Sequence, residues 1–105
     1  MEILLVITNC PDEECAKEIA LAAVEAKLAA CVSILPRAQS VYRWQGEVES
    51  ASEIPLLFKT TAANYPALEA NIRERHPYEL PEIIAVPLSH GLPAYLNWVA
   101  AETIQ

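Results

Sequence analysis

The feature that most constrains this chain is a pair of β-type stretches too long for the domain that must hold them. Residues 30–43 and 47–60 are rich in strand formers and flank Gln45-Gly46, a dipeptide suited to a tight reversal. If that dipeptide is the centre of a hairpin turn, Ile34 faces Leu57, Leu35 faces Leu56 and Pro36 faces Pro55. Proline has no backbone N–H to give to a ladder, so each belongs at an edge or a break. Two prolines at one level predict a shared kink that divides the hairpin into an inner and an outer half; a ladder running unbroken through Pro36 would contradict it. Strands of about 13 residues at ~3.3 Å each span roughly 40 Å. A compact chain of 105 residues has a radius of gyration near ~13 Å, hence a diameter of about 33 Å. The outer half, with Val41, Tyr42, Trp44 and Val48, is therefore expected to project. A lone projecting ribbon is unstable and prone to pair with other chains. A neighbouring subunit is its expected support; the alternative is that the kink folds it back over its own sheet.

The flanking segments supply the rest of one domain, residues 1–105. Ile3 to Ile7 is a solid apolar run of strand length, which predicts a central strand buried on both faces. Pro11 suits the first turn of a following helix, and Asp12, Glu13 and Glu14 complement the positive end of its dipole. Ala16, Ile19, Ala20 and Ala23 recur at helical spacing, and the pattern fades near Lys27. A second helix is predicted over 61–75, capped by Thr61 or Asn64, with Pro66 in its first turn, Tyr65, Leu68 and Ile72 as its buried stripe, and Pro77 as its stop. Ile83 to Leu88 reads as another strand. A last helix over 94–102 carries Leu96 and Val99 on one face with Tyr95 and Trp98 beside them, so it wants burial on two sides. The order β-α-β-β-α-β plus a C-terminal helix is the split-βαβ, ferredoxin-like arrangement of the α+β class. It has an antiparallel sheet with helices on one face, the first and third strands central, the first strand of the long kinked hairpin at an edge.

Charge and composition exclude some partners. Hydrophobic residues make up 53% of the chain and charged ones 20%, a rich ratio for a domain with so much surface per unit core, so some apolar surface is expected against another subunit. The formal net charge of −7 repels nucleic acid and anionic membrane, which need basic patches. The acidity first of all serves solubility. The run 3–7 is too short for a signal peptide or a membrane span. Three cysteines, Cys10, Cys15 and Cys31, cannot pair completely and form no CxxC, which fits reduced thiols in a cytoplasm. No GxSxG, HExxH or phosphate-binding glycine loop occurs, so an enzyme is not expected.

The densest chemistry lies in Arg75-His76-Pro77-Tyr78-Glu79-Leu80-Pro81-Glu82. Imidazole with the carboxylates of Glu79 and Glu82 suits copper or zinc, and Cys10 or Cys15 could add a thiolate. Against that stands a plain structural role: His76 capping its helix, Glu82 bonding backbone at a strand entry, Tyr78 packing. Lys59, in an apolar strand and placed by the turn opposite Val32, must reach water or find an acid such as Glu82 or one from another subunit.

Taken in order, Leu28-Ala29-Ala30-Cys31-Val32, Tyr42-x-Trp44-x-Gly46, Lys59-Thr60, His76-Pro77-Tyr78-Glu79-x-Pro81-Glu82 and Gly91-x-x-x-Tyr95-x-x-Trp98 resemble the CutA family of divalent-cation tolerance proteins (CutA1 type) along essentially the whole chain. The resemblance implies a ferredoxin-like subunit, a tight homotrimer built by hairpin exchange, kinship with the PII signalling proteins, and binding of divalent cations, copper among them. Some members of the family are implied to use a first-strand cysteine, a histidine before the one in the His-Pro-Tyr motif, and the glutamate of the Pro-Glu pair. Here those positions read Ile7, Arg75 and Glu82, so only Glu82 matches. The resulting expectation is a soluble homotrimer that binds a divalent metal, copper(II) in the first instance, weakly through His76, Glu79 and Glu82, with no obligatory cofactor. The alternatives are a PII-like sensor with a small-molecule or anion pocket between subunits near Lys59, Tyr78 and Glu82, or a scaffold whose assembly is its function.

Overall fold

The computed structural model describes residues 2–105. Strand β1 (Ile3–Cys10) is followed by helix α1 (Glu13–Glu25), strands β2 (Cys31–Ile34), β3 (Ala38–Trp44) and β4 (Glu47–Thr61), a 3-10 turn at Ala62–Asn64, helix α2 (Tyr65–Arg75), strand β5 (Ile83–Pro87) and helix α3 (Pro93–Ala101). The antiparallel sheet runs β2-β4-β1-β5, and β3 pairs with the outer part of β4. This is the expected ferredoxin-like βαββαβ order, with β1 and β4 central and β2 at an edge.

Local chemistry sets the element ends. Asp12 caps α1 by accepting the Cys15 N–H at 2.8 Å, which leaves Pro11 just outside the helix. All four small or branched residues of the predicted stripe, Ala16, Ile19, Ala20 and Ala23, are buried. The helix ends with Lys27 at φ 60° and the Leu28 N–H on the Ala23 carbonyl at 2.9 Å, a left-handed termination that glycine more often makes. In α2, Leu68 and Ile72 are buried and Pro66 occupies the first turn. Asn64 does not cap it through its side chain; the Asn64 amide instead donates to Thr61 Oγ1 and to the Thr103 carbonyl, each at 2.9 Å, tying the C-terminus to the end of β4.

Strand β1 is not buried equally on its two sides. Leu4, Val6, Thr8 and Cys10 lie in the core, whereas Leu5, Ile7 and Asn9 are half-buried. The reason is the layer order. One face packs against α1 and α2 through Val6, Leu56, Phe58, Ile19, Leu68 and Ile72, all fully buried. The other face carries Leu5 and Ile7, their β4 partners Lys59 and Leu57, and their β5 partners Val86 and Ile84. Among the described residues only α3 reaches across an end of it, where Tyr95 Oη meets Cys31 Sγ at 3.3 Å. Ile84 and Val86 are left about half exposed, as are Tyr95 and Trp98 of α3.

The hairpin kinks where the prolines predict. The turn has Gln45 at φ 50° and Gly46 at φ 84°, two left-handed residues whose twist matches a two-residue hairpin. It fixes the outer ladder as expected, from Trp44↔Glu47 down to Ala38↔Glu53. The ladder breaks over 35–37 and resumes one residue out of step: Ile34 pairs with Leu56, not Leu57, and Cys31, not Val32, faces Lys59. Three residues on one side, 35–37, thus oppose two on the other, which is a bulge. Strand β4 itself runs through Pro55 because that residue's carbonyl accepts the Leu35 N–H at 3.0 Å. A strand residue's N–H and C=O point to the same side, so the donor Pro55 lacks falls at the break. The slip reverses the faces of β2: Val32 packs on the core, while Cys31 and Ser33 share the open face with Lys59.

Arg37 fastens the kink, its Nη1 donating to the Pro11 carbonyl at 3.2 Å and to Ser52 at 3.4 Å. Beyond it the outer half projects: the molecule measures 44 × 26 × 23 Å, and Val41 and Val48 are 71% and 65% exposed. No described helix is long and apolar enough to cross a membrane.

Candidate functional site

Outside the kink, the concave side of the hairpin and the loop after α2 enclose a groove of about 850 Å³. Alternation along β3 and its register with β4 put Ser40, Tyr42, Trp44, Glu49 and Glu53 on one wall. Tyr78, Glu79 and Glu82 form the opposite wall, with Asn9 at the base. Tyr78 joins the walls: its hydroxyl donates to Glu53 Oε2 at 2.9 Å. Glu53 is only 8% exposed, and burial together with that carboxylate pushes the Tyr78 phenol well above its ordinary range. Tyr42 shifts the same way, through desolvation and then through Glu49 across the ladder.

His76 stands behind the groove. It ends α2, its backbone N–H on the Ile72 carbonyl at 2.9 Å, and its ring is tilted against that of Tyr78 at 4.7 Å. Both ring nitrogens are engaged. The Tyr78 N–H donates to Nδ1 at 3.2 Å, so Nδ1 carries no proton, and Nε2–H donates to the Asn9 carbonyl at 2.7 Å. The ring is buried, and both of its nitrogens are taken up by these bonds.

Of the residues singled out in the sequence, the fold therefore brings Tyr78, Glu79 and Glu82 to one groove and leaves His76 and Lys59 elsewhere. Glu82 Oε1 accepts from the Asn9 amide at 3.1 Å rather than from backbone. Lys59 is six residues from Glu53 along β4, roughly 20 Å, and donates to Ser33 Oγ at 2.7 Å on the open sheet face, not to Glu82. As a cation site within one subunit, His76, Glu79 and Glu82 fit poorly, because both imidazole nitrogens are already taken up. Among the described residues no three His, Cys, Asp or Glu side chains are gathered as a metal would need. Burial, then Cys15 beside it, pushes the Cys10 thiol up to about 12, which disfavours its thiolate. Tyr42, Trp44, Glu49 and Glu53 were missed as site residues. The turn-centred register places them on one face, and that alternation could have found them.

An antiparallel βαββαβ sheet with two helices on one face, a kinked projecting hairpin and a terminal helix defines the class: a small ferredoxin-like α+β protein with a groove between its hairpin and a helix-end loop. The model of the CutA1 divalent ion tolerance proteins matches residues 4–102, and the chain belongs to that family. It is 48% identical over 103 residues to the divalent-cation tolerance protein CutA of Thermus thermophilus, covering 98% of this chain and 99% of that one. It is 49% identical over 91 residues to mouse Protein CutA, covering 87% of this chain and 51% of that one, so it spans about half the length of the mammalian relative. The crystal structure of CutA from Xylella fastidiosa superposes with a TM-score of 0.96 at 45% identity, covering 99% of this chain and 100% of that one.

Proposed function

We propose that the chain acts in the tolerance of divalent cations as a non-catalytic homotrimer, with copper as the first metal to test, in a reducing, cytoplasmic compartment that suits its three unpaired thiols. The observation that carries the reading is likeness over nearly its whole length to a protein named for divalent-cation tolerance. Assembly is supported by apolar surface that one subunit leaves uncovered: Ile84 and Val86 on the edge strand β5, Val41 and Val48 on the hairpin. Any copper bound to one subunit meets the exposed carboxylates of Glu79 and Glu82, so affinity is weak.

Three measurements test this. Light scattering on dilution should give three chains per particle; a stable monomer overturns the assembly. Copper(II) titration should show weak binding lost in Glu79→Gln/Glu82→Gln and kept in His76→Ala. A strain lacking the gene should lose copper tolerance and regain it with the wild-type chain; unchanged tolerance overturns the function. The sensor reading is favoured by one observation, the groove itself.

A further inference from the structure

We propose that Cys10 and Cys15 are a redox site, a dithiol that exchanges with small-molecule disulfides to close a reversible bond within the chain. The fold sets the two side by side. Cys10 is the last residue of β1, and its side chain is fully buried. Cys15 lies in the first turn of α1, packed on the same core but partly open to solvent. The Pro11-Asp12 corner turns the chain back between them, held by the Asp12 carboxylate on the Cys15 N–H at 2.8 Å. The two thiols hydrogen-bond to each other. Sulfurs in that contact need move by only about 1–2 Å to reach the ~2.05 Å of a disulfide. Cys31 lies apart, its sulfur against the Tyr95 hydroxyl on the open face of the sheet.

Unequal exposure assigns the roles. Cys15, the accessible thiol, gives its proton to solvent and attacks one sulfur of the small disulfide. That S–S bond breaks, and one small thiol leaves with a proton from water. Cys10 then gives up its proton and attacks Cys15 Sγ of the mixed disulfide, and the second small thiol departs. The protein loses two hydrogen atoms and the small disulfide gains them. Burial raises both thiols, so exchange is slow, and sulfurs of this kind are poor leaving groups when the bond is attacked in turn. In a reducing compartment such a bond is transient, the form disulfides take there when they sense rather than staple. Its state reaches other parts of the fold because the chain around it is an anchor. The Asn9 carbonyl accepts His76 Nε2–H at 2.7 Å, and the Asn9 amide donates to Glu82 at 3.1 Å. The Pro11 carbonyl accepts from Arg37 at 3.2 Å. Drawing Cys15 onto Cys10 thus shifts the residues that hold both the 76–82 loop and the hairpin kink.

The test equilibrates the assembled wild-type protein with oxidised and reduced glutathione in graded ratios, quenches with acid, alkylates the free thiols and maps them by peptide mass. Cys10 and Cys15 should lose alkylation together, in one transition, linked to each other and short by two hydrogen atoms. Cys31 should stay alkylated, and dithiothreitol should restore the pair. Cys15→Ser, at a partly exposed position, should abolish the bond, and Cys31→Ser should leave it. In the oxidised protein, amide exchange at Leu35 and Tyr78, whose N–H groups are bonded in the reduced fold, should quicken by about threefold or more. Both thiols still alkylated at the most oxidising ratio, or a glutathione adduct on Cys15 that never closes, overturns the site. A bond that forms and leaves exchange at Leu35 and Tyr78 unaltered overturns its link to the loop and kink. The mapping is made on the wild type, so it decides even where a variant fails to fold. The inference does not rest on the metal reading: copper tolerance can fail with the dithiol intact, and the converse.

Discussion

The two halves of one hairpin obey different rules. The inner half of β4, from Ile54 to Thr60, alternates between the helix-covered core and a half-buried face, and its Leu56 and Phe58 have no exposed surface. The outer half, in the same strand and joined to it through Pro55, has exposed residues on both faces except at Ala51 and Glu53. The inner half is held by burial. The outer half is held by its turn, by Arg37 at the kink and by the bond from Tyr78 to Glu53. Apolar residues in the two halves therefore do different work: inside they stabilise the subunit, outside they are surface that calls for a partner.

The contrast is broken first where burial is largest. Phe58→Ala should destabilise the subunit by about 3–5 kcal/mol in chemical denaturation; a loss below about 1 kcal/mol would mean the inner half is not the core. Tyr78→Phe should cost about 1–3 kcal/mol, because it strips the bond from a buried carboxylate, and should loosen amide exchange in β3 while leaving β1 protected. Gly46→Ala meets nothing within 4 Å, so its cost is conformational alone, about 1 kcal/mol at positive φ. Val48→Ala should change subunit stability by less than about 0.5 kcal/mol yet weaken assembly on dilution. If it destabilises the fold as Phe58→Ala does, the two halves are not distinct.

Alkaline titration compares the halves by another route. Cys10, beside the inner half, has its thiol pushed up to about 12 by burial and by Cys15, and Tyr78, against the outer half, is also raised. Both groups ionise more readily in the unfolded chain. The stability they contribute is therefore complete below the ordinary values, near 9 for the thiol and 10 for the phenol, and is lost as pH climbs toward the folded ones. Denaturation midpoints measured from pH 8 to 11 should fall, and Cys10→Ala and Tyr78→Phe should each flatten the slope.

The same contrast explains what could be read in advance. The outer register followed from Gln45-Gly46 alone, because a two-residue turn dictates pairing to its neighbours. The inner register did not, because Pro36 and Pro55 mark where a ladder breaks without saying how many residues the break consumes. That single residue displaced Lys59 from Val32 to Cys31. The His76–Pro77–Tyr78 loop stood out for its side chains, yet the imidazole's two hydrogen bonds depend on Asn9, distant in sequence. Tyr42 and Trp44 looked like ordinary exposed strand residues until the loop from 76 to 82 was set opposite them.

The bulge over 35–37 has a consequence for how this protein can vary. Because the ladder restarts there, the pairing on its far side answers only to the turn. Residues inserted beside Gln45-Gly46 two on each strand would lengthen the ribbon without moving a core side chain, whereas one extra residue on a single strand would scramble whatever lies between tip and kink. Pro36 is thus a seam. On one side the sequence is bound by packing; on the other the arm can change its length, and so its reach, in steps.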